Sequence, residues 1–390
     1  MNHVLVALTL AAASVPSASS AVASSPSPWG DDGFFEVTSD DDRFALKLDG
    51  RIFLDFGFHT AADGLTTASS LRRARFAVKT RLWGSWTTEW DIGVADGEVE
   101  VKDMWIAYAL GGRTELKVGH FKVPFSHEEL MSPSRRLAIG VATHGAWWRV
   151  GAAIFGQEVG RREATLASEG FGGAVRLTAA PVDDGALLLH FGASVAAQTP
   201  EDGAGRVRFK ARPETKILRF DYLNTGWIEG VDLTMIVGGE AILRYGPLSL
   251  QGELVAARVD REGGRASVDF GGGFVQLGWI LTGQTRPYDR GDGELAALEL
   301  ARGAQAVELA LRYSHLSLAD VAAPDPVDHV TGGVGNQVSA TATWLFNANL
   351  RWMLGWSWAD NSPQADDAGD LPEGLDRRFH LVTTRLIAGF

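Results

Sequence analysis

A regular alternation of apolar and polar residues is the feature that most constrains this chain. In residues 44–58 every even-numbered position is apolar or glycine, whereas Lys47, Arg51 and Asp55 occupy odd-numbered positions. Side chains of a β-strand point alternately to opposite faces, so this pattern predicts a strand with one apolar and one polar face. The segment is longer than the roughly 5–6 residues usual in soluble sheets. It suits a tilted strand that crosses a bilayer, which needs about 9–11 residues.

The same alternation recurs along the chain, in segments 73–82, 86–94, 187–195, 307–314, 337–346 and 350–358. Turn-rich stretches separate such runs, at residues 61–70, 200–205, 287–293, 322–335 and 361–374. We count about sixteen strand candidates, an even number that closes an antiparallel barrel without unpaired edges. Strand assignment is least clear between residues 206 and 259.

The alternative fold is a soluble β-sandwich, which also alternates. A sandwich has shorter strands and hides its aromatic residues in a core, whereas here Trp and Phe fall near strand ends on the apolar face, as in an aromatic girdle. A mean hydropathy of −0.01 agrees with strands that are apolar on one side only. The sequence therefore predicts an all-β fold, a transmembrane antiparallel β-barrel.

The two ends of the chain predict export and insertion into an outer membrane. Residues 4–15 form an apolar run, and Ala21-Val22-Ala23 fits a small-residue cleavage site, so we expect a signal peptide at residues 1–23. Residues 24–43 are then a short periplasmic segment, and residues 44–390 form the barrel domain. The final strand places Phe390 on its apolar face, as the last strand of an outer-membrane barrel does.

Composition excludes several other classes of function. The chain has no cysteine, so it has no disulfide framework, thiol nucleophile or thiolate metal site. A formal net charge of −12 argues against binding to nucleic acid. The histidines show no metal-ligand spacing, and His190 and Ser194 are too far apart along one strand to form a nucleophile–base pair. We expect no cofactor, no metal and no enzymatic activity.

Several blocks of sequence resemble the phosphate-selective porin O and P family. They are Arg72-Arg73-Ala74-Arg75 and the segments 118–130, 281–288, 307–314 and 344–354. The similarity extends over nearly the whole chain after residue 44. It implies a sixteen-stranded homotrimeric barrel in outer-membrane lipid, and a constriction loop that folds inward after the fifth strand, which residues 122–145 would form.

The polar faces suggest which residues line such a pore. The pore-lining and anion-binding candidates are Lys47, Arg51, Arg73, Arg75, Lys79, Arg81, Lys122, Arg135 and Arg136. Guanidinium groups bind phosphate oxygens in pairs, so an array of these residues would pass small anions such as phosphate. The alternative is that these charges pair with acidic residues of the lumen, such as Asp49, Asp55, Glu89, Asp91, Glu128 and Glu129, which gives a general or cation-preferring porin.

A non-conducting barrel is the second class of function that the sequence leaves open. Such a barrel serves as an adhesin, a receptor or a lipid-modifying enzyme. Its support in the sequence is weaker, because no catalytic set of residues has the required spacing.

Overall fold

A computed structural model describes residues 35–61, 64–95, 98–126, 135–156, 170–200, 205–212, 214, 221–301, 303–362 and 377–389. Sixteen long strands form the barrel. We number them β1 (Ala45–Ala61), β2 (Gly64–Leu82), β3 (Trp86–Ala95), β4 (Glu98–Gly111), β5 (Thr114–Lys122), β6 (Arg135–His144), β7 (Trp148–Phe155), β8 (Gly172–Asp183), β9 (Leu187–Gln198), β10 (Val231–Tyr245), β11 (Leu248–Arg261), β12 (Val268–Ile280), β13 (Ala306–Asp320), β14 (Val330–Leu345), β15 (Leu350–Asn361) and β16 (Arg378–Gly389).

Each strand pairs antiparallel with the next along the chain, and β16 pairs with β1 to close the ring. The closing register runs from Arg51 opposite Gly389 to His59 opposite Leu381. This closure confirms the predicted sixteen-stranded barrel and excludes an open sandwich. A short strand, Phe35–Thr38, pairs with the beginning of β1. It occupies the same edge of β1 that pairs with β16 from Arg51 onward. No helix in the described part of the chain is long and apolar enough to cross a membrane.

The barrel is apolar outside and polar inside, which is the reverse of a soluble protein. On β1, Phe56 is 52% exposed while its neighbour Asp55 is only 2% exposed. The same contrast is found on the other strands. Outward side chains contact hydrocarbon, and inward side chains contact either packed residues or water in the lumen. The face assignment predicted for residues 44–58 is therefore confirmed.

An aromatic girdle surrounds one end of the barrel. Its members are outward-facing residues at or beside the short turns: Phe44, Trp83, Trp86, Trp147, Trp148, Tyr245, Trp279, Trp344 and Trp352. Amphipathic rings of this kind favour the boundary between hydrocarbon and water. Short turns characterise the periplasmic end of outer-membrane barrels, so we call this the periplasmic end and the other the extracellular end.

Two of the predicted turn segments include several residues of a barrel strand. Residues 61–70 were expected to form a turn, but β2 begins at Gly64, and residues 322–335 overlap the first part of β14. Both stretches lie at the extracellular end, where small polar residues and glycine replace most of the apolar ones. Alternation of hydrophobicity is lost there although the backbone pairing continues.

Much of the lumen is filled rather than empty. Inward side chains of β5–β12 form an apolar core with parts of the long connections; its members include Phe121, Phe125, Phe155, Leu223, Ile228, Ile236, Val255 and Phe270. Leu223 and Ile228 belong to the connection between β9 and β10, residues 199–230, which we call the β9–β10 insert. The inner faces of β13–β16 and β1–β3 are instead lined mainly by charged and hydroxyl side chains.

Candidate functional site in the barrel lumen

A second insert enters the lumen from the periplasmic end. The connection between β12 and β13, residues 281–305, is far longer than the other periplasmic turns, and we call it the β12–β13 insert. Arg286 donates two hydrogen bonds to Glu308 of β13, at 2.6 and 2.7 Å. Farther along the insert, Arg149 of β7 donates to the Gly291 carbonyl at 2.5 Å. The insert therefore crosses the lumen from β13 to β7 and narrows the passage.

A buried network of charged groups holds this insert. Arg176 of β8 binds the Glu240 carboxylate of β10 through Nη2–Oε1 at 2.5 Å and Nε–Oε2 at 3.2 Å. The same guanidinium donates to the carbonyls of Asp292 and Gly293, each at 2.9 Å. One arginine thus links two barrel strands to the insert, and its hydrogen bonds offset the cost of burying its charge.

His190 and Tyr288 complete the network. His190 is fully buried; its Nε2 lies 2.9 Å from Glu240 Oε1 and its Nδ1 lies 2.8 Å from the Tyr288 hydroxyl. Gly192 leaves the space that the Glu240 carboxylate occupies, since a Cβ there would lie 2.6 Å from Cδ of Glu240. Burial raises the pKa of Tyr288, which lies in the insert, to about 12, so its hydroxyl stays neutral near neutral pH.

The β9–β10 insert reaches the opposite side of the lumen through one carboxylate. Glu214 Oε1 lies 2.7 Å from Nε of Arg312 on β13, and its Oε2 accepts from Ser339 of β14 at 3.1 Å. Tyr222 of the same insert stacks on Phe379 of β16 with ring centroids 4.7 Å apart. Apart from these contacts, the inner walls of β13–β16 and β1–β3 are not covered by the described parts of the inserts, and they form the polar side of the passage.

The register of β1 and β2 brings basic residues face to face on this polar side. Lys47 lies directly opposite Lys79, and Arg51 lies directly opposite Arg75. Arg73 is opposite Phe53, and its Cζ lies 5.1 Å from the centre of the Phe53 ring. Arg81 is exposed at the periplasmic end of β2. All six predicted residues of the first two strands thus lie on the inward face of one continuous wall.

Acidic residues compensate most of these charges. Arg51 binds Asp49 with hydrogen bonds of 3.0 and 3.1 Å, and Arg75 lies 3.3 Å from Asp91. Lys79 lies 3.4 Å from Glu89 and 3.8 Å from Asp49, and Lys47 lies 4.0 Å from Glu36. The lumen therefore alternates charge, as the second interpretation of the sequence expected for Asp49, Glu89 and Asp91.

Arg73 differs from its neighbours. Within the described residues it makes no ion pair with a carboxylate, and its guanidinium lies on the Phe53 ring instead. Cationic neighbours surround it: Arg72 and Arg75 on its own strand, and Arg51 on β1 opposite Arg75.

The structure corrects the expected extent of the loop that follows the fifth strand. Residues 122–145 were expected to form the constriction, but residues 135–144 are strand β6, and Lys122 is the last residue of β5. Lys122 and Arg135 are register partners at the extracellular ends of these strands, and Arg135 lies 3.0 Å from Asp103 of β4. Arg136 is buried and donates to Gln198 at 3.4 Å.

The described part of the shortened connection does fold inward. Val123 and Phe125 are buried in the apolar core of the lumen, and the Ser126 backbone N–H donates to the hydroxyl of Ser194 on β9 at 3.4 Å. Glu128 and Glu129 lie outside the described residues. The interior is thus narrowed from the extracellular end by this connection and the β9–β10 insert, and from the periplasmic end by the β12–β13 insert.

The sequence analysis missed the residues that hold the β12–β13 insert. Arg176, Glu240 and Arg244 were not singled out, and His190 was considered only as a partner of Ser194. A usable signal was present, since all four occupy inward positions on β8, β9 and β10. Arg244 donates to the Arg286 carbonyl at 2.7 Å, and the partners of these four residues are 42 or more residues distant in the chain, so spacing alone does not reveal the network.

Comparisons with known proteins agree with this architecture. OmpF of Salmonella typhi, solved with daunomycin, has a TM-score of 0.54 at 12% identity, covering 91% of this chain and 100% of that one. OprB of Pseudomonas putida has a TM-score of 0.54 at 11% identity, with 90% and 95% covered. OmpT of Vibrio cholerae in a trimer form has a TM-score of 0.53 at 12% identity, with 90% and 100% covered.

Sequence comparison identifies the family. An uncharacterised protein of Caulobacter vibrioides is 26% identical over 391 residues, which cover 91% of this chain and 76% of that protein. The family model described as phosphate-selective porin O and P matches residues 46–390. A closed barrel with an apolar exterior and this match together place the protein in the bacterial outer membrane as a channel. The chain belongs to the phosphate-selective porin O and P family.

Proposed function

We propose that the barrel is a water-filled channel for passive diffusion of small solutes, with a preference for anions such as phosphate. The observation that carries the proposal is Arg73, an inward guanidinium among other cations that makes no ion pair with a described carboxylate. A channel selects ions through the charged side chains that line its narrow part. An anion that passes this wall gains a charge-assisted hydrogen bond from Arg73 without displacing a carboxylate of the protein.

The register of β1 and β2 supports the same preference. Like charges placed directly opposite each other repel, so the pairs Lys47–Lys79 and Arg51–Arg75 depend on acidic neighbours in the absence of solute. An anion in the passage would provide part of the negative charge that these acidic neighbours otherwise supply. Phosphate suits such a wall because guanidinium groups bind its oxygens in pairs.

A general or cation-preferring channel is the second candidate. The ion pairs Arg51–Asp49, Arg75–Asp91 and Lys79–Glu89 favour it, because paired charges leave little net field in the lumen. A non-conducting barrel that acts as an adhesin, a receptor or a lipid-modifying enzyme is a third. It predicts a folded protein that yields no ionic current.

Reversal potentials in a salt gradient across a planar bilayer separate these candidates. The proposal predicts a reversal potential of the sign for anion selectivity, and a shift toward cation selectivity in Arg73→Glu. Arg258→Glu is the matched control, because Arg258 is exposed on β11 and paired there with Asp260 and Asp269. Cation selectivity of the natural protein would refute the anion preference and leave the channel itself in place.

We also propose that the channel assembles as a homotrimer in outer-membrane lipid, and that residues 1–23 are removed on export. OmpT of Vibrio cholerae, a protein of similar fold, was solved in a trimer form. The mass of the complex in detergent and N-terminal sequencing of the protein purified from outer membranes test these two proposals. A monomeric mass, or retention of Met1, would refute the respective statement.

A further inference from the structure

A cavity of about 150 Å³ opens on the inner wall formed by β12–β16 and β1. Two ion pairs border it. Arg385 binds Asp55 through Nε–Oδ1 and Nη2–Oδ2, both at 2.6 Å, and Arg312 Nε lies 2.7 Å from Glu214 Oε1. Each guanidinium of the cavity thus faces a carboxylate, and the four charged residues that line the cavity carry no net formal charge.

Hydroxyl groups cover the wall between these ion pairs. Ser339 of β14 lies directly opposite Ser357 of β15, and their Oγ atoms are 3.0 Å apart. Thr341 and Thr383 contribute two further hydroxyls, one on each side of Gly355 in the register. Because a hydroxyl both donates and accepts, this wall matches a ligand whose groups do the same.

Gly355 keeps the space between the hydroxyls open. A Cβ at this position would lie 2.8 Å from Oγ1 of Thr383 and 3.7 Å from Cγ2 of Thr341. Met353, the next inward residue of β15, supplies a flexible apolar surface beside it. The cavity therefore combines paired charges, hydroxyls and one apolar side chain.

We infer that this cavity binds small neutral polyhydroxylated solutes of the monosaccharide or sugar-alcohol class. A cavity of about 150 Å³ is large enough for a molecule with one six-membered ring, the size of a small polyol. The hydroxyls of such a solute replace the donors and acceptors of that water, and its C–H groups contact Met353. An inorganic anion offers mainly acceptors, and here it would compete with Asp55 and Glu214 for the two arginines.

The inference depends on the part of the proposed function that opens the lumen to water, and not on anion preference. Saturation-transfer NMR on the full-length barrel in detergent, with D-glucose as the probe, tests it directly. Ser357→Ala removes one hydroxyl, and Gly355→Val fills the space. Thr88→Ala is the matched control, since Thr88 and Thr80 form a similar hydroxyl pair, 2.8 Å apart, on the outward face.

We expect saturation of glucose by the natural protein and by Thr88→Ala. We expect about fivefold weaker binding in Ser357→Ala, the effect of one lost hydrogen bond, and loss of binding in Gly355→Val. Equal saturation of glucose by all four proteins would overturn the inference. Saturation of a short polyethylene glycol of the same mass by the natural protein would also overturn it. So would saturation of the zwitterion glycine in place of glucose.

Ionic current in potassium chloride, recorded on the same preparations, separates the two proposals. Current without glucose saturation would refute the cavity as a polyol site and leave the channel. Glucose saturation without current would support the cavity and refute the channel.

Discussion

Nη2 of Arg176 lies 2.5 Å from Oε1 of Glu240 inside the barrel, and the same guanidinium holds two carbonyls of the β12–β13 insert. Arg176→Ala leaves the Glu240 charge buried with His190 as its remaining described partner. Loss of one partner of a buried pair costs about 3–5 kcal/mol. We therefore expect a lower unfolding temperature and, because the insert is released, a larger single-channel conductance.

Arg258→Ala provides the comparison for this experiment, because it removes an arginine from an exposed ion pair on β11. Its effect on stability should stay below about 1 kcal/mol, with an unchanged conductance. A conductance of Arg176→Ala equal to that of the natural protein would mean that the β12–β13 insert does not narrow the ion path.

Tyr288 gives the network a dependence on alkaline pH. Burial raises the pKa of its phenol to about 12, above the usual value near 10. The folded protein thus holds this proton more tightly than the unfolded chain. The resulting stabilisation is complete below pH about 10 and is lost as the pH rises toward about 12. In urea unfolding, the free energy of unfolding of Tyr288→Phe should fall less between pH about 10 and about 12 than that of the natural protein. Equal falls in the two proteins would contradict the raised pKa of Tyr288.

Lys122 and Arg135 face each other at the extracellular ends of β5 and β6. Replacing either with glutamate reverses a charge beside the inward-folded connection, so we expect selectivity to shift toward cations. Reversal potentials in a salt gradient measure the shift, with Arg258→Glu as the reference for a charge reversal on the outer surface. No shift in either variant would show that this end of the barrel does not line the constriction.

Adjacent residues of β15 test the two faces of the barrel. Leu354 faces outward and is 45% exposed, whereas Met353 faces the lumen. Leu354→Arg places a charge in hydrocarbon and should cost about 2–4 kcal/mol if it lies near the bilayer centre. Met353→Arg places the same charge in a polar lumen, so its cost should be smaller. Unfolding in lipid vesicles gives both values, and equal costs would contradict the assignment of faces.

Alternation predicted the barrel because the physical requirement behind it is local. Each outward residue must contact lipid, so the sequence of residues 44–58 by itself shows the two faces that the structure has. The same rule applied to β6 would have identified it, since Leu137, Ile139 and Val141 face outward between small inward residues. The connection between β5 and β6 therefore ends at residue 134, where this alternation begins.

The interior of the barrel was less predictable, because its contacts join distant parts of the chain. Arg176 and Glu240 are 64 residues apart, and Arg176 and Gly293 are 117 residues apart. No local pattern requires residues 281–305 to fold inward, although their length between two strands at the periplasmic end is unusual. The pairing of Lys79 with Glu89, in contrast, follows from the register of one hairpin and agrees with the alternative in which acidic residues of the lumen pair with the basic ones.

Single-channel recording tests the central claim, that a water-filled passage runs along the polar wall of β13–β16 and β1–β3. We predict that purified, folded protein added to a planar bilayer produces stepwise current increases that vary linearly with voltage. Protein denatured by heat should produce none. Protein that inserts into the bilayer with a β-rich circular dichroism spectrum and yet gives no current steps would contradict the account.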